Sequence, residues 1–424
     1  MKQIKAAKGT RDILPDEMAA WHRLEEASRR VFALYGFGEI RTPIFEPTEL
    51  FRKSTGAHSD IVTKQMYTFS DRAGRSLTLR PEGTPGVVRA VLEDGLLRPG
   101  DIQRLYYIVP MFRYERPQKG RYRQFSQIGV EAIGSSDPAI DAEVIQMATV
   151  LFRTLGIADT RLVLNSVGHD GCRVAYRTAL REKLAAHREE LCRDCQRRLD
   201  ENPLRILDCK VPSCQQYKAM APSILEYLCG DCDRHFAEVQ RMLKELDVDF
   251  VIDDRLVRGL DYYTRTAFEI TSDRLGAQNA LCGGGRYDDL VGWMGGPDTP
   301  AFGFAMGADR MVVDVLALLR REEGGGGIPI DVYIVHLGRE ALGRSMAAAV
   351  SLRARGIATR LDPQERDLKK QLARASALDA RFALIIGERE IAQGSYRLKR
   401  MADGHQSDIP AGDWDVMAGE INDG

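Results

Sequence analysis

Residues 111–125 (MFRYERPQKGRYRQF) constrain the fold of this chain more than any other stretch. They read as an extended run carrying Arg113-x-Glu115, a basic turn, and a second extended run. Along the second run Phe125, Gln127, Gly129 and Glu131 share one face by the period of two. A face of Gln and Glu with Gly between them is a poor core face; it suits the floor of a polar pocket. From about 77 to 134 the pattern is antiparallel sheet, interrupted by one helix near 84–95.

The flanking sequence shows how much chain surrounds this sheet. A length of 424 residues predicts about two to four domains. Pro15, Asp16 and Glu17 open a predicted helix over 15–35, in which Trp21, Leu24, Ala27, Val31 and Leu34 follow helical steps up to a stop at Gly36. Residues 39–47 are extended, because Pro43 and Pro47 disfavour helix before them. Residues 170–245 are helical and charged and hold seven of the eight cysteines; Leu180, Leu184, His187 and Leu191 keep helical spacing. We read this segment as a small domain inserted into the sheet domain. Gly324–Gly327 is the clearest linker. After it, apolar strands at Ile330–Val335, Ala358–Leu361 and Phe382–Ile386 alternate with helical stretches, which predicts a small α/β domain with a partly parallel sheet.

The net charge is −1, so nucleic-acid contact has to come from local patches. No run approaches the roughly 18–20 apolar residues of a membrane span, and the N-terminus has no apolar signal region. These features predict a cytoplasmic protein whose cysteines are thiols or metal ligands. Cys192-x2-Cys195 and Cys229-x2-Cys232 are paired in the manner of a zinc ribbon, with Cys209 and Cys214 between them and His235 following. The two pairs lie further apart than in the commonest ribbon. One structural zinc on Cys192, Cys195, Cys229 and Cys232, or reduced thiols packing the helices, both satisfy the pattern.

Chemistry concentrates on arginine. Its planar fork keeps its charge and matches phosphate oxygens. Besides Arg113, it stands beside glycine in Val257-Arg258-Gly259-Leu260-Asp261-Tyr262-Tyr263, in Gly283-Gly284-Gly285-Arg286, and after the glycines of Gly303–Arg310. Glu82 and Thr84 lie at a strand end. No Ser-His-Asp or Cys-His arrangement stands out. The pattern points to phosphoryl or nucleotidyl chemistry stabilised by charge.

Taken together, these segments resemble the class II aminoacyl-tRNA synthetases, and among them the bacterial histidyl-tRNA synthetases. Thr42–Pro47 is similar to the first class II motif, Arg113-x-Glu115 to the second and Gly303–Arg310 to the third; Leu256–Tyr263 and Gly283–Leu290 resemble segments particular to the histidine enzymes. The resemblance implies an α+β fold. An antiparallel-sheet catalytic domain (1–323) would carry the inserted helical domain (about 170–245), followed by a Gly linker (324–327) and an α/β anticodon-binding domain (328–424).

The resemblance also implies roles. Arg113 and Arg258 would be catalytic at the α-phosphate, and Glu115 and Arg310 would hold ATP. Glu82, Thr84 and Gln127 would hold the ammonium of histidine; Glu131 and Tyr263, with Tyr262 nearby, would hold its imidazole. Arg116, Gln118, Lys119, Arg121 and Arg123 would meet the tRNA acceptor end. Arg366, Lys369, Lys370 and Arg374 would form a basic helical face toward the anticodon, with Arg397, Lys399 and Arg400 following after the last strand. The implied substrates are L-histidine, ATP with Mg2+, and tRNA-His, and the implied assembly is a homodimer through the first motif. The rival within the resemblance is a non-catalytic, histidine-sensing paralogue that regulates ATP phosphoribosyltransferase. Such paralogues lack the C-terminal domain and the catalytic arginines, all of which are present here.

Overall fold

The computed structural model describes residues 3–56, 59–115, 121–272, 280–313, 330–364 and 366–423. The glycine run 324–327 and the turn residues Arg116, Gln118 and Lys119 lie outside them. The chain forms two compact units, Met1–Glu322 and Glu323–Gly424.

In the first unit, α1 (Pro15–Leu34) has proline in its first turn and Asp16 and Glu17 where the helix dipole favours acids. Trp21, Leu24 and Val31 are buried. Leu34, expected on the same stripe, is 75% exposed; the chain turns at Gly36, at φ +74°, and Phe37 enters the core instead. Then come β1 (Gly38–Glu39), β2 (Phe45–Pro47), α2 (Thr48–Ser54), β3 (Tyr67–Ser70), β4 (Ser76–Leu79) and α3 (Thr84–Glu93). The hairpin arms are β5 (Gln103–Phe112) and β6 (Gln124–Ile133), followed by α4 (Pro138–Thr154) and β7 (Arg161–Ser166).

The chain next leaves the sheet for α5 (Asp170–Ala185), α6 (Arg193–Glu201), α7 (Pro212–Ala219) and α8 (Gly230–Glu245). It returns through β8 (Val251–Ile252), β9 (Thr264–Thr271), β10 (Ala280–Arg286), α9 (Leu290–Trp293) and β11 (Ala301–Gly307). The helix predicted to continue through His187 and Leu191 stops at Ala185, and Leu191 reaches its core from a separate turn.

Eight strands form one sheet in the order β1-β5-β6-β11-β10-β9-β7-β8. It is antiparallel from β5 to β7 and parallel only at its two edges. Alternation along β6 divides its two faces. Ile128, Val130 and Ala132 join Leu24, Phe32, Val144 and Leu151 in the main core, while Gln127 and Glu131 line a cavity on the other side. Phe236, Val239 and Leu243 of α8 also enter the main core, so the last helix of the excursion is packed into the sheet unit. A buried ion pair ties the covering helix to the sheet: Arg286 and Asp141 are both fully buried, 2.6 Å apart. Arg286 also donates to the carbonyls of Ser135 and Asp137. β2, β4 and β3 form a separate three-stranded sheet.

In the second unit β12 (Val332–His336), α10 (Arg339–Arg353), β13 (Thr359–Leu361), α11 (Leu368–Ala377) and β14 (Phe382–Ile386) alternate. β12 pairs in parallel with both β13 and β14, as the alternation predicts. The basic segment after β14, however, is not the end of the sheet. Beyond α12 (Glu388–Gln393), β15 (Ser395–Arg400) and β16 (Gln406–Pro410) extend it antiparallel, before α13 (Trp414–Asp423). Tyr396 and Leu398 point into the core, and Arg397 pairs with Asp408 across the new edge. No helix among the described residues is long and apolar enough to cross a membrane.

Candidate active site

The site is built on the polar face of β6. Tyr107 of β5 stands opposite Gly129 in the strand register. A Cβ on Gly129 would come within 2.1 Å of the Tyr107 ring, so the glycine makes room for the phenol to lie across the sheet. Glu131, 1% exposed, lies beyond it and collects hydroxyls. Thr84 donates to its Oε1 at 2.7 Å and Tyr107 to the same oxygen at 3.4 Å, while Tyr287 donates to Oε2 at 2.5 Å. Burial pushes the Glu131 carboxyl up to about 8, against the opposing effect of these donors. Glu82 sits beside it, taking Thr55 at 2.6 Å and Tyr262 at 2.8 Å; burial raises its carboxyl as well. Thr84 therefore belongs to the Glu131 group and Tyr262 to the Glu82 group, which cuts across the division of roles expected from the sequence. Gln127 contributes a buried carbonyl oxygen that has no partner.

These groups line a cavity of about 340 Å3. A second, of about 220 Å3, is lined by Phe125, Leu281, Gly307 and Arg310. Arg113, Glu115, Arg121, Gln127, Arg258 and Gly283 line both. Both junction arginines are held from behind. Arg113 donates its Nε to the Pro81 carbonyl at 2.7 Å and lies over the Phe125 ring. Arg258 donates to Glu269 at 2.6 Å, and a Cβ on Gly283 would stand 2.2 Å from its Nη2. Arg310 donates to the Ala280 carbonyl; burial, together with Arg121, lowers its pKa. One cavity thus offers carboxylates and phenols, the other an aromatic ring and a guanidinium, with two preset arginines where they meet. A small zwitterion with a polar ring fits the first, a purine fits the second, and a carboxylate could meet a phosphate at the junction.

Every expected ATP and histidine residue lines one or both cavities: Glu82, Thr84, Arg113, Glu115, Gln127, Glu131, Arg258, Tyr262 and Tyr263 line the first, and Arg310 the second. Tyr107, Tyr287 and Glu269 were not assigned roles from sequence. They meet Glu131 and Arg258 only through packing of distant segments, which local patterns do not reveal. Of the described turn residues, Arg121 faces Glu115 in the cavities at 3.4 Å. Arg123 is occupied within the chain: it lies over Tyr114 and donates to the carbonyls of Glu115 and Lys8.

The cysteine grouping needs correction. Cys192, Cys195, Cys229 and Cys232 do not form one cluster. Cys192 and Cys195 join Cys209 and Cys214, whereas Cys229 and Cys232 join His169 and Cys172. His235 accompanies neither pair and is hydrogen-bonded to Asp141 instead. Which pairs meet is decided by the packing of the helices that carry them, so spacing along the chain could not reveal it.

An antiparallel sheet carrying an arginine on a hairpin arm and another after the last sheet strand, around adjoining cavities lined one by carboxylates and phenols and the other by an aromatic ring and a guanidinium, defines the catalytic unit of a class II aminoacyl-tRNA synthetase. Comparison with known proteins narrows this. The histidyl-tRNA synthetase family matches residues 9–311, and an anticodon binding domain matches residues 331–414. The chain is 48% identical to the histidine–tRNA ligase of Trichlorobacter lovleyi, over 96% of each protein. It is 50% identical to that of Geobacillus sp., over 95% of this chain and 96% of the relative. The crystal structure of apo Staphylococcus aureus histidyl-tRNA synthetase superposes with a TM-score of 0.79 at 35% identity, covering 99% of this chain and 100% of that one. The chain belongs to the histidyl-tRNA synthetase family.

Proposed function

We infer that the chain ligates L-histidine to the 3′ end of tRNA-His through a histidyl-adenylate, releasing pyrophosphate and then AMP. The observation that carries this reading is the junction: Arg113 and Arg258 line both cavities, one of which ends in Glu82 and Glu131. In the first step the histidine carboxylate, already ionised, attacks the α-phosphorus of ATP and needs no general base. Charge moves onto the phosphate oxygens, and two guanidiniums already fixed by Pro81 and Glu269 meet it without reorganising. Glu115, on the wall shared by both cavities, would hold a magnesium ion brought in with the triphosphate, which would offset the charge of the outer phosphates. Glu82 and the unpaired Gln127 carbonyl receive the ammonium, while Glu131 and Tyr263 receive the imidazole. An amino acid without a polar ring leaves these buried groups unpaired, a penalty that can discriminate by about 10⁴–10⁵. In the second step a ribose hydroxyl of the terminal tRNA adenosine attacks the mixed anhydride.

The partners follow the same logic. Ile44, Phe45 and Phe69 are exposed on or beside the small sheet, at 46%, 52% and 43%, and the Phe45 and Phe69 rings pack together. This apolar face supports pairing of two copies through Thr42–Pro47. In the second unit Lys369 and Lys370 are exposed at the start of α11 with Arg374 on the same helix, an electrostatic footing for the anticodon arm. A chain that works on tRNA in this way resides in the cytoplasm. The complete arginine set and the match to an anticodon binding domain both oppose the histidine-sensing alternative.

Histidine-dependent exchange of labelled pyrophosphate into ATP tests the reading; its absence with magnesium present would refute it. Arg258→Ala is expected to lower kcat about 10²–10³-fold while changing histidine affinity far less. Equal losses in both would reduce Arg258 to a binding residue.

A further inference from the structure

Seven of the eight cysteines and one histidine fall into two four-membered groups. In each group the four ligand atoms all lie within 4.8 Å of one another. A tetrahedral zinc with thiolates at about 2.3 Å needs its ligand atoms about 3.7 Å apart, so each group requires only a small adjustment of its side chains. In the first group His169 Nδ1 stands 3.1 Å from Cys172 Sγ, 3.5 Å from Cys232 Sγ and 3.9 Å from Cys229 Sγ. In the second, Cys192 Sγ and Cys209 Sγ are 3.9 Å apart, nearly twice a disulfide length of about 2.05 Å, and all eight cysteines are free.

The local structure brings helix ends and backbone donors to the sulfurs. Cys229 precedes the first residue of α8, with Cys232 in its first turn; Cys192 stands in the same relation to α6, with Cys195 in that first turn. His169 precedes α5 with Cys172 in its first turn, and Cys214 lies in the first turn of α7. Four helix N-termini therefore lie at the two groups, two to each. Backbone N–H groups already reach sulfur: Cys229 N to Cys172 Sγ at 3.2 Å, Cys192 N to Cys214 Sγ at 3.3 Å and Val211 N to Cys209 Sγ at 3.4 Å. A redox pair needs two sulfurs. Here each Cys-x-x-Cys faces two further soft ligands, the donor set of a closed structural site.

What the two groups hold together is the histidine-binding loop. Arg173, next to Cys172, donates to the Tyr263 carbonyl at 2.6 Å. Arg205, between α6 and Cys209, donates to the Arg258 carbonyl at 3.1 Å, and Asn202 donates to Asp261.

We propose that the chain carries two structural zinc centres, His169–Cys172–Cys229–Cys232 and Cys192–Cys195–Cys209–Cys214, which fix the helices that brace residues 258–263. The bracing role rests on the functional reading above; the metal content does not. The full-length chain, purified without chelator or histidine tag from zinc-supplemented cells, is expected to hold about two zinc ions, and to hide its ligand thiols from a thiol reagent until a chromophoric chelator removes them. Cys195→Ser and Cys232→Ser are each expected to remove one zinc and leave the other. If either variant fails to fold, cobalt loading of the wild-type chain decides: two equivalents with thiolate charge-transfer bands support the proposal. One or no zinc, iron in its place, or disulfides in the freshly purified chain would overturn it. With both zincs present, an unchanged histidine KM in the single-site variants would overturn the bracing role alone, while absent pyrophosphate exchange would point to the functional reading.

Discussion

On the reading proposed above, Glu131 is a buried carboxyl that ionises when it receives the imidazole of histidine. With its pKa near 8, roughly nine-tenths of the free protein holds this proton at pH 7. The carboxyl accepts three hydroxyls, an arrangement suited to the anion receiving an imidazole N–H, with the Tyr263 phenol offered to the other nitrogen. Selecting the anion at pH 7 then costs about 1.4 kcal/mol, and binding neutral histidine should release just under one proton. Apparent affinity should improve about tenfold per pH unit from 6.5 toward 8 and level off above it; below about 6.5, protonation of the free imidazole steepens the slope further. Titration calorimetry in two buffers of different ionisation enthalpy counts the proton, and Glu131→Gln should abolish the slope between 6.5 and 8. The same group makes the unliganded protein less stable as pH rises. The unfolded carboxyl has lost its proton above about 4.5 while the folded one keeps it to about 8, so stability contributed below 4.5 is lost by pH 8, of order 5 kcal/mol. Glu131→Gln should flatten that loss in thermal melts. No net proton released on binding between pH 6.5 and 8 would refute the reasoning, because it would mean that the site takes an imidazolium or that Glu131 donates instead.

Other perturbations test neighbouring parts of the structure. Gly283→Ala places a Cβ 2.2 Å from the Arg258 guanidinium and should cut pyrophosphate exchange about 10²-fold by misplacing it with little change in the circular dichroism spectrum; activity within twofold of wild type would show that Arg258 need not sit there. Asp141→Ala leaves the fully buried Arg286 with Asp288 as its remaining carboxylate partner. Burial alone would raise the Asp141 carboxyl, but Arg286 and His235 outweigh it and hold it below its ordinary value, so the loss should be about 3–5 kcal/mol, read as a fall in denaturation midpoint. Phe69→Asp puts a charge in the exposed apolar face beside Phe45 and should shift sedimentation from dimer to monomer; an unchanged sedimentation coefficient would move the interface elsewhere.

Helix α1, the antiparallel hairpin and the parallel strands of the second unit were legible because each is written in local periodicity. So was the polar face of β6, since alternation alone puts Gln127 and Glu131 opposite Ile128 and Val130. Strands β15 and β16 were missed although Tyr396 and Leu398 alternate with Arg397 and Lys399; the charges obscured a half-buried strand. Tyr107 and Tyr287 were missed for a deeper reason. Nothing near either in sequence marks it as a partner of Glu131, which lies 24 residues from one and 156 from the other. The cysteines fail in the same way: spacing identifies each pair, and packing alone chooses what each pair meets.

Packing also gives the described residues of the basic hairpin turn distinct partners. The resemblance puts Arg121 and Arg123 together at the tRNA end, and the structure gives the two side chains different partners. Arg121 faces Glu115 in the wall of the second cavity. Arg123 secures the N-terminal segment, since its backbone N–H donates to the Gly9 carbonyl at 2.7 Å and its side chain reaches the Lys8 carbonyl. Two residues beyond Gly9, Arg11 approaches Asp309, whose carboxylate accepts the Ser126 N–H at 2.7 Å next to Arg310. The Gly9–Arg123 backbone bond and the Arg11–Asp309 pair thus fasten one N-terminal segment both to the hairpin and to the start of the helix that carries Arg310. Loosening that segment should therefore disturb the ATP cavity from two sides at once, and adenylate formation should suffer before any step that involves tRNA.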